Sequence, residues 1–281
     1  MKYIRFYFCI LVPLFITFET IAQEPAAQNG RFTTVEGLKI YYEDTGKGIP
    51  LVLLHGFHST TSIWNPFVPQ LSNYFRVISI DLPGHGRSDY MDTTDVYLHK
   101  RAAEYILGLL NILKIDSAYV MGSSSGAMIT LYMATIKPQL TKKIVLIGGQ
   151  VYFSVKTRDL ITSRGPGIEN QRLMESRIKL HGKQKAILLA KQFWNMRKLY
   201  GDPSFTPDVL SNIKANTLII HGDNDPIAPV TNAWEMFQNI PNANLWIVPN
   251  GGHAMQAIRD SNKDDFIRRV LDFLQGNWER Q

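Results

Sequence analysis

The sequence predicts an α/β protein: a doubly wound, mostly parallel sheet with an N-terminal antiparallel hairpin and an inserted helical lid. Three features predict it. Short runs that are apolar along their whole length alternate with segments of helical periodicity, the pattern of parallel strands covered by helices on both faces. Two β-branched and aromatic runs near the start flank Glu36-Gly37, which reads as a hairpin. One long stretch, from 151 to about 207, keeps the helical pattern and holds no strand-like run.

Taken in order, residues 31–35 and 39–43 form the hairpin, and 50–54, 76–80, 118–121, 143–147, 217–220 and 244–248 supply the parallel strands. Leu98, Ala102, Tyr105, Leu109 and Leu113 recur at helical spacing within 96–113. Residues 126–136, 231–237 and 264–274 are further helices. Right-handed crossovers then carry the functional loops to the carboxyl ends of the strands. The chain has 281 residues, 45% hydrophobic and 19% charged, enough for one large core. It shows no repeat of fixed period, so solenoids and propellers are excluded. The expected organisation is a core built from 23–150 and 207–281, with the lid at 151–206. Gly165-Pro166-Gly167 and Gly201-Asp202-Pro203 punctuate the lid. Its Tyr152, Phe153, Phe193, Trp194, Met196, Tyr200 and Phe205 are expected mainly to pack it onto the core, with a few lining a substrate pocket.

Residues 1–22 read as a secretory signal: Lys2 and Arg5, an apolar run over 6–18 broken by Pro13, then small side chains at Thr20-Ile21-Ala22. The run is short for a transmembrane helix, so the expected product is exported, periplasmic or extracellular, with no stable membrane span after cleavage. The sole cysteine, Cys9, lies in that segment, leaving no disulfide, thiol nucleophile or Cys-based metal site. Net charge is +6, and 151–205 holds 11 Lys and Arg against 4 Asp and Glu. That excess reads first as a solvated helical face and second as a field that concentrates an anionic small-molecule substrate. Nothing resembles a nucleic-acid module. Oligomeric state is not written in the sequence.

Four segments carry chemistry. Gly122-Ser123-Ser124-Ser125-Gly126 follows a strand and opens a helix. A nucleophile on so sharp a turn needs tiny neighbours two positions away on each side, and only Ser124 has glycine at both. Leu54-His55-Gly56-Phe57 follows another strand. The backbone N–H groups of Phe57 and Ser125 are the expected oxyanion donors, and His55 is expected to support its loop rather than act as a base. His221-Gly222-Asp223-Asn224-Asp225-Pro226 offers two carboxylates to orient a catalytic histidine. Asn250-Gly251-Gly252-His253 supplies that histidine on a loop after the last strand, and the order Ser, Asp, His follows. His85 has a loop role, while His58, His99 and His181 sit in no motif.

These segments, with Asp81-Leu82-Pro83-Gly84-His85-Gly86-Arg87-Ser88, resemble the α/β-hydrolase superfamily in its lidded branch of esterases, epoxide hydrolases, haloalkane dehalogenases and C–C hydrolases. The resemblance runs from about Phe32 to the C-terminus. It implies that the second aspartate of Gly222-Asp223-Asn224-Asp225 is the triad acid, selecting Asp225 over Asp223. It also implies a buttressing role for the loop from Asp81 to Ser88. Relatives that open epoxides or remove halide carry Asp at the nucleophile position; Ser124 points instead to an acyl-enzyme. The implied activity is hydrolysis of a carboxylic ester or related acyl bond, with no cofactor and no metal. C–C hydrolysis, perhydrolysis and a slow-turnover ligand-binding role use the same residues.

Overall fold

The computed structural model describes residues 30–91, 95–258 and 262–278. The expected signal segment lies outside them. No helix among the described residues is long and apolar enough to cross a membrane.

The strands are β1 (Gly30–Val35), β2 (Leu38–Thr45), β3 (Pro50–Leu54), β4 (Arg76–Ile80), β5 (Ala118–Ser123), β6 (Thr141–Ile147), β7 (Asn216–Gly222) and β8 (Ala243–Val248). They form one eight-stranded sheet in the order β1-β2-β4-β3-β5-β6-β7-β8. β1 and β2 pair antiparallel around the Glu36-Gly37 turn, and β2 joins β4 antiparallel. From β4 onward every pairing is parallel, with β3 at the centre of the crossover pattern.

Two cores follow from the two-residue side-chain period of these strands. Val52 and Leu54 of β3 face one layer with Ile78, Val120, Ile144 and Ile219. That layer is covered by α2 (His99–Ile112), α3 (Ser125–Ile136), α7 (Pro207–Ser211) and α8 (Thr231–Asn239). Leu51 and Leu53 face the opposite layer, with Val77, Met121, Val145, Leu218 and Ile220. Trp64, α1 (Val68–Leu71) and α9 (Lys263–Gln275) close that side, where Phe67 and Phe266 meet edge to face at 5.1 Å. Both faces of each central strand are therefore buried, which is why those runs are apolar throughout. Burying one such Leu or Phe contributes about 1.5–3 kcal/mol.

Helix α2 begins three residues later than the periodicity suggests, because Leu98 is still extended (φ −106°, ψ 112°). The short helices α1 and α7, and single 3₁₀ turns at Thr61–Trp64 and Ala254–Ala257, are too brief to leave a periodic trace. Helix α9 stops at Gly276 in the left-handed region (φ 90°), a common C-terminal cap.

Between β6 and β7 the chain forms α4 (Val155–Arg164), α5 (Gln171–His181) and α6 (Lys183–Asn195). Ser154 and Asn170 cap α4 and α5 by accepting the N–H groups of Thr157 and Leu173. The ends of this segment are stitched together: Phe205 N–H donates to Val151 O at 3.0 Å, and Tyr152 bridges Ser204. The segment docks on the core through Phe153, Met196 and Phe205, which join the core's hydrophobic cluster, and through polar contacts. Lys185 Nζ donates to Gly86 O (2.9 Å) and Ser88 O (2.6 Å), and Gly86 N–H donates to His181 Nδ1 (2.9 Å). Val151 N–H donates to Asn232 Oδ1 at 3.0 Å. Part of the positive charge of 151–205 therefore holds the lid down. Of the lid aromatics, Phe153 and Phe205 are buried, whereas Tyr152 and Tyr200 are exposed.

Candidate active site

The carboxyl ends of β3, β5, β7 and β8 converge beneath the lid. β5 runs into Ser124, which has φ 52° and ψ −115°, and α3 starts at the next residue. A non-glycine residue in this region stores strain of about 1–3 kcal/mol, held only where surroundings enforce it. Here Ser124 N–H is anchored on Ile147 O of β6 at 2.8 Å. A Cβ at Gly122 would strike the backbone of Gly126, and one at Gly126 would strike the carbonyls of Leu54 and His55. The two glycines are required because strand, turn and helix approach at backbone distance.

The structure brings three predicted side chains together. Ser124 Oγ lies 2.8 Å from His253 Nε2, and His253 Nδ1 lies 2.7 Å from Asp225 Oδ2. Asp225 Oδ1 accepts the N–H groups of Ile227 and Ala228, both at 2.8 Å. Burial alone would raise the Asp225 carboxyl. The hydrogen bonds from His253 and from Ala228 and Ile227 outweigh it and hold the group below the usual carboxylate value. With Asp225 ionised, the Nδ1 proton of His253 is fixed, and Nε2 faces the serine hydroxyl. The histidine loop sits directly on the end of β7, since a Cβ at Gly222 would strike the carbonyl oxygens of Gly251 and Gly252.

Asp223 does not reach the site. It is exposed, and the loop contact it makes is through its backbone N–H to Val248 O at 3.3 Å. His221 is buried and donates from Nε2 to Ala228 O at 2.8 Å, which stiffens the turn carrying Asp225.

The side of the site that carries the expected donor Phe57 is built by β3 and its loop. Gly56 is so close to Ser124 that a Cβ there would lie 3.3 Å from Ser124 Cβ. Phe57 and Ser125 both line the cavity, and no acceptor among the described residues engages either backbone N–H. His55 supports this loop: its Nδ1 donates to Gly56 O (2.7 Å), and its Nε2 accepts Leu82 N–H (2.9 Å). Behind it the fully buried Asp81 accepts Thr61 N–H (2.8 Å) and the Arg87 side chain (2.8 Å). The Asp81–Ser88 loop is a buttress made of polar bonds.

Residues 49–162 match the family described as alpha/beta hydrolase fold. The eight-stranded, mostly parallel sheet with its antiparallel N-terminal hairpin is the α/β-hydrolase fold. Among its relatives, a 2-hydroxy-6-oxononadienedioate/2-hydroxy-6-oxononatrienedioate hydrolase of Pseudomonas putida is 29% identical over 282 residues, covering 89% of this chain and 97% of that protein. A meta-cleavage product hydrolase from Pseudomonas fluorescens IP01 superimposes with a TM-score of 0.70 at 20% identity, over 89% of this chain and 98% of the other. A thermophilic esterase from Thermogutta terrifontis gives a TM-score of 0.71 at 20% identity, over 88% and 98%. The likeness to these two structures is one of fold.

The three side chains open onto a cavity of about 380 Å³. Phe153, Phe193 and Met196 of the lid segment line it, opposite Ile63, Met128 and Ile227 of the core. No carboxylate lines it among the described residues, while Arg164 and Arg177 both do. Arg177 is 9% exposed, donates one N–H to Pro166 O at 3.2 Å and leaves its Nε without a partner. Burial pulls its guanidinium below the usual value, though it remains a cation. His58 packs beside Phe57 and Phe193 with both ring nitrogens unpartnered. Sequence reasoning identified neither residue as part of the cavity, because each sits in an otherwise unmarked stretch.

Proposed function

We propose that the protein is a serine hydrolase that cleaves an acyl bond through an acyl-enzyme on Ser124. The observation that carries this reading is the unbroken chain Ser124 Oγ–His253 Nε2–Asp225, 2.8 and 2.7 Å, on a strained turn facing a cavity. Ser124 Oγ attacks the carbonyl carbon while His253 Nε2 takes its proton. Asp225 stabilises the imidazolium that forms. The N–H groups of Phe57 and Ser125 receive the oxyanion. Collapse expels the leaving group, which takes the proton back from His253. Water, activated by the same imidazole, then attacks the acyl-enzyme and releases the acid.

The substrate on this reading is a small acyl compound with an apolar body and an anionic group at its far end. Arg177 supports the second feature, because an unpaired buried cation in a cavity without carboxylates is compensated by an anionic ligand. Carboxylic esters are the first class. C–C bond hydrolysis is a second reading, favoured by the same cation and by relatives named as hydrolases of 2-hydroxy-6-oxo-dienoates, which carry a carboxylate. There the leaving group is a carbanion stabilised by conjugation, and the proton it needs comes from the same imidazolium. Assaying p-nitrophenyl esters of graded length, neutral and ω-carboxylated, beside 2-hydroxy-6-oxononadienedioate tests both readings. Turnover lost on Ser124→Ala is expected; absence of turnover on every substrate, or turnover indifferent to that substitution, overturns the proposal. The reading of residues 1–22 as an export signal is tested by N-terminal sequencing of the protein recovered outside the cytoplasm, with Gln23 the expected first residue.

A further inference from the structure

A second Ser–His–Asp arrangement lies one residue away from the first, and the mechanism above does not use it. Ser125 Oγ is 3.2 Å from His99 Nε2, and His99 Nδ1 is 2.9 Å from Asp202 Oδ1. The other carboxylate oxygen of Asp202 accepts Lys100 N–H at 3.0 Å, in the first turn of α2. All three side chains are buried: His99 fully, Ser125 at 2% and Asp202 at 5% exposure. The rings of Tyr97 and Phe153 stand edge-on to His99 at 5.5 and 6.2 Å and seal it from solvent. A buried carboxylate is costly unless fully bonded. Here both its oxygens are satisfied by groups from one helix start.

The three residues come from three places. Ser125 opens α3, His99 opens α2, and Asp202 lies in the segment by which the lid returns to the core, three residues before Phe205 meets Val151. Resting on the serine-hydrolase reading, we propose that Asp202, His99 and Ser125 form a positioning relay that couples the seating of the lid to the oxyanion donor of the active site. Asp202 accepts the Nδ1 proton of His99, and the hydrogen bond between His99 Nε2 and Ser125 Oγ anchors the Ser125 hydroxyl. That hydroxyl is then turned toward α2 and does not compete with Ser124 for His253. What Ser125 offers the active site is its backbone N–H, held in direction by the anchored side chain. His99 and Asp202 never touch substrate; they act through Ser125. Lifting the lid would withdraw Asp202, release His99 and loosen the donor, so full oxyanion stabilisation is available only with the lid seated.

The test is a double-mutant cycle on acylation. Ser125→Ala removes the hydroxyl and keeps the N–H; Asp202→Asn keeps the volume and removes the charge. The rate of the p-nitrophenol burst from p-nitrophenyl acetate, KM and labelling by a fluorophosphonate are measured for wild type, both single variants and the double. Each single substitution is expected to slow acylation about tenfold, less than the ~100-fold or more that follows loss of an oxyanion donor. KM should stay within twofold. The double variant should be no slower than the slower single, because both act through one chain of bonds. If Asp202→Asn does not fold, His99→Gln takes its place in the cycle. Wild-type acylation in the single variants, multiplicative losses in the double, or a change confined to KM would overturn the relay while leaving the serine-hydrolase reading intact. A wild-type protein that gives neither burst nor label overturns both.

Discussion

Acid should loosen the oxyanion loop at a pH where the carboxylates are still ionised, and His55 sets the size of the effect. Its imidazole is fully buried, with Nε2 filled by Leu82 N–H and Nδ1 donating to Gly56 O. A second ring proton would point at the Leu82 N–H. Burial pushes its pKa down from 6.5 to about 4. Between those values the unfolded chain binds a proton that the native state refuses. Stability is therefore complete above the unfolded value, falls as pH drops through the window, and levels off below the folded value. At about 1.4 kcal/mol per pH unit, the window is worth about 3 kcal/mol. Burial also shifts His58, His85, His181 and His221 downward, so each adds to the slope in the same direction. The depressed carboxyls of Asp81 and Asp225 act elsewhere, since their contribution is lost only as pH falls below the ordinary 3.8. Urea unfolding from pH 4.5 to 7 on wild type and His55→Gln measures this. The wild type should lose stability steadily with acid. The variant should be less stable throughout, with a slope shallower by about 1.4 kcal/mol per pH unit near pH 5. Stability independent of pH across the window, or a slope the substitution does not change, would refute the reasoning.

Asp225→Asn should lower kcat about 10⁴-fold with little loss of thermal stability. Asp223→Asn should leave kcat within twofold, because that side chain is exposed and outside the site; ester turnover and melting curves decide both. Gly126→Ala should cost about 3 kcal/mol or more, or abolish folding, since the new methyl meets His55 O at 2.8 Å and Leu54 more closely still. Thermal denaturation of the purified variant checks it. Arg177→Met should raise KM at least tenfold for an ω-carboxylated ester and leave KM for the neutral ester of equal length nearly unchanged. Equal effects on both esters would remove the anion-recognition argument.

Much of the fold is legible because its physics is local or periodic. The parallel strands β3 to β7 announce themselves as apolar runs, since they are buried on both faces. The Ser124 turn is legible because Gly122 and Gly126 stand where only glycine fits. The choice of Asp225 over Asp223 is different in kind: the two carboxylates lie two residues apart in similar company, and only the family resemblance separates them. In the structure, burial and the Ile227 and Ala228 N–H groups do so. The Asp202–His99–Ser125 relay was not legible at all. Its members are separated by 103 and 26 positions and belong to no motif, so nothing short of tertiary structure joins them. The lid shows a similar limit. Its helical character is visible in the pattern, but which aromatics face the cavity depends on how α4 to α6 pack.

The most direct test of the account is to treat the purified protein with a fluorophosphonate and locate the adduct by peptide mass mapping. One phosphonyl group per chain, on Ser124, with labelling abolished by Ser124→Ala and slowed by His253→Ala, is the expected result. An unlabelled protein, or an adduct on Ser123, Ser125 or any other side chain, would contradict it.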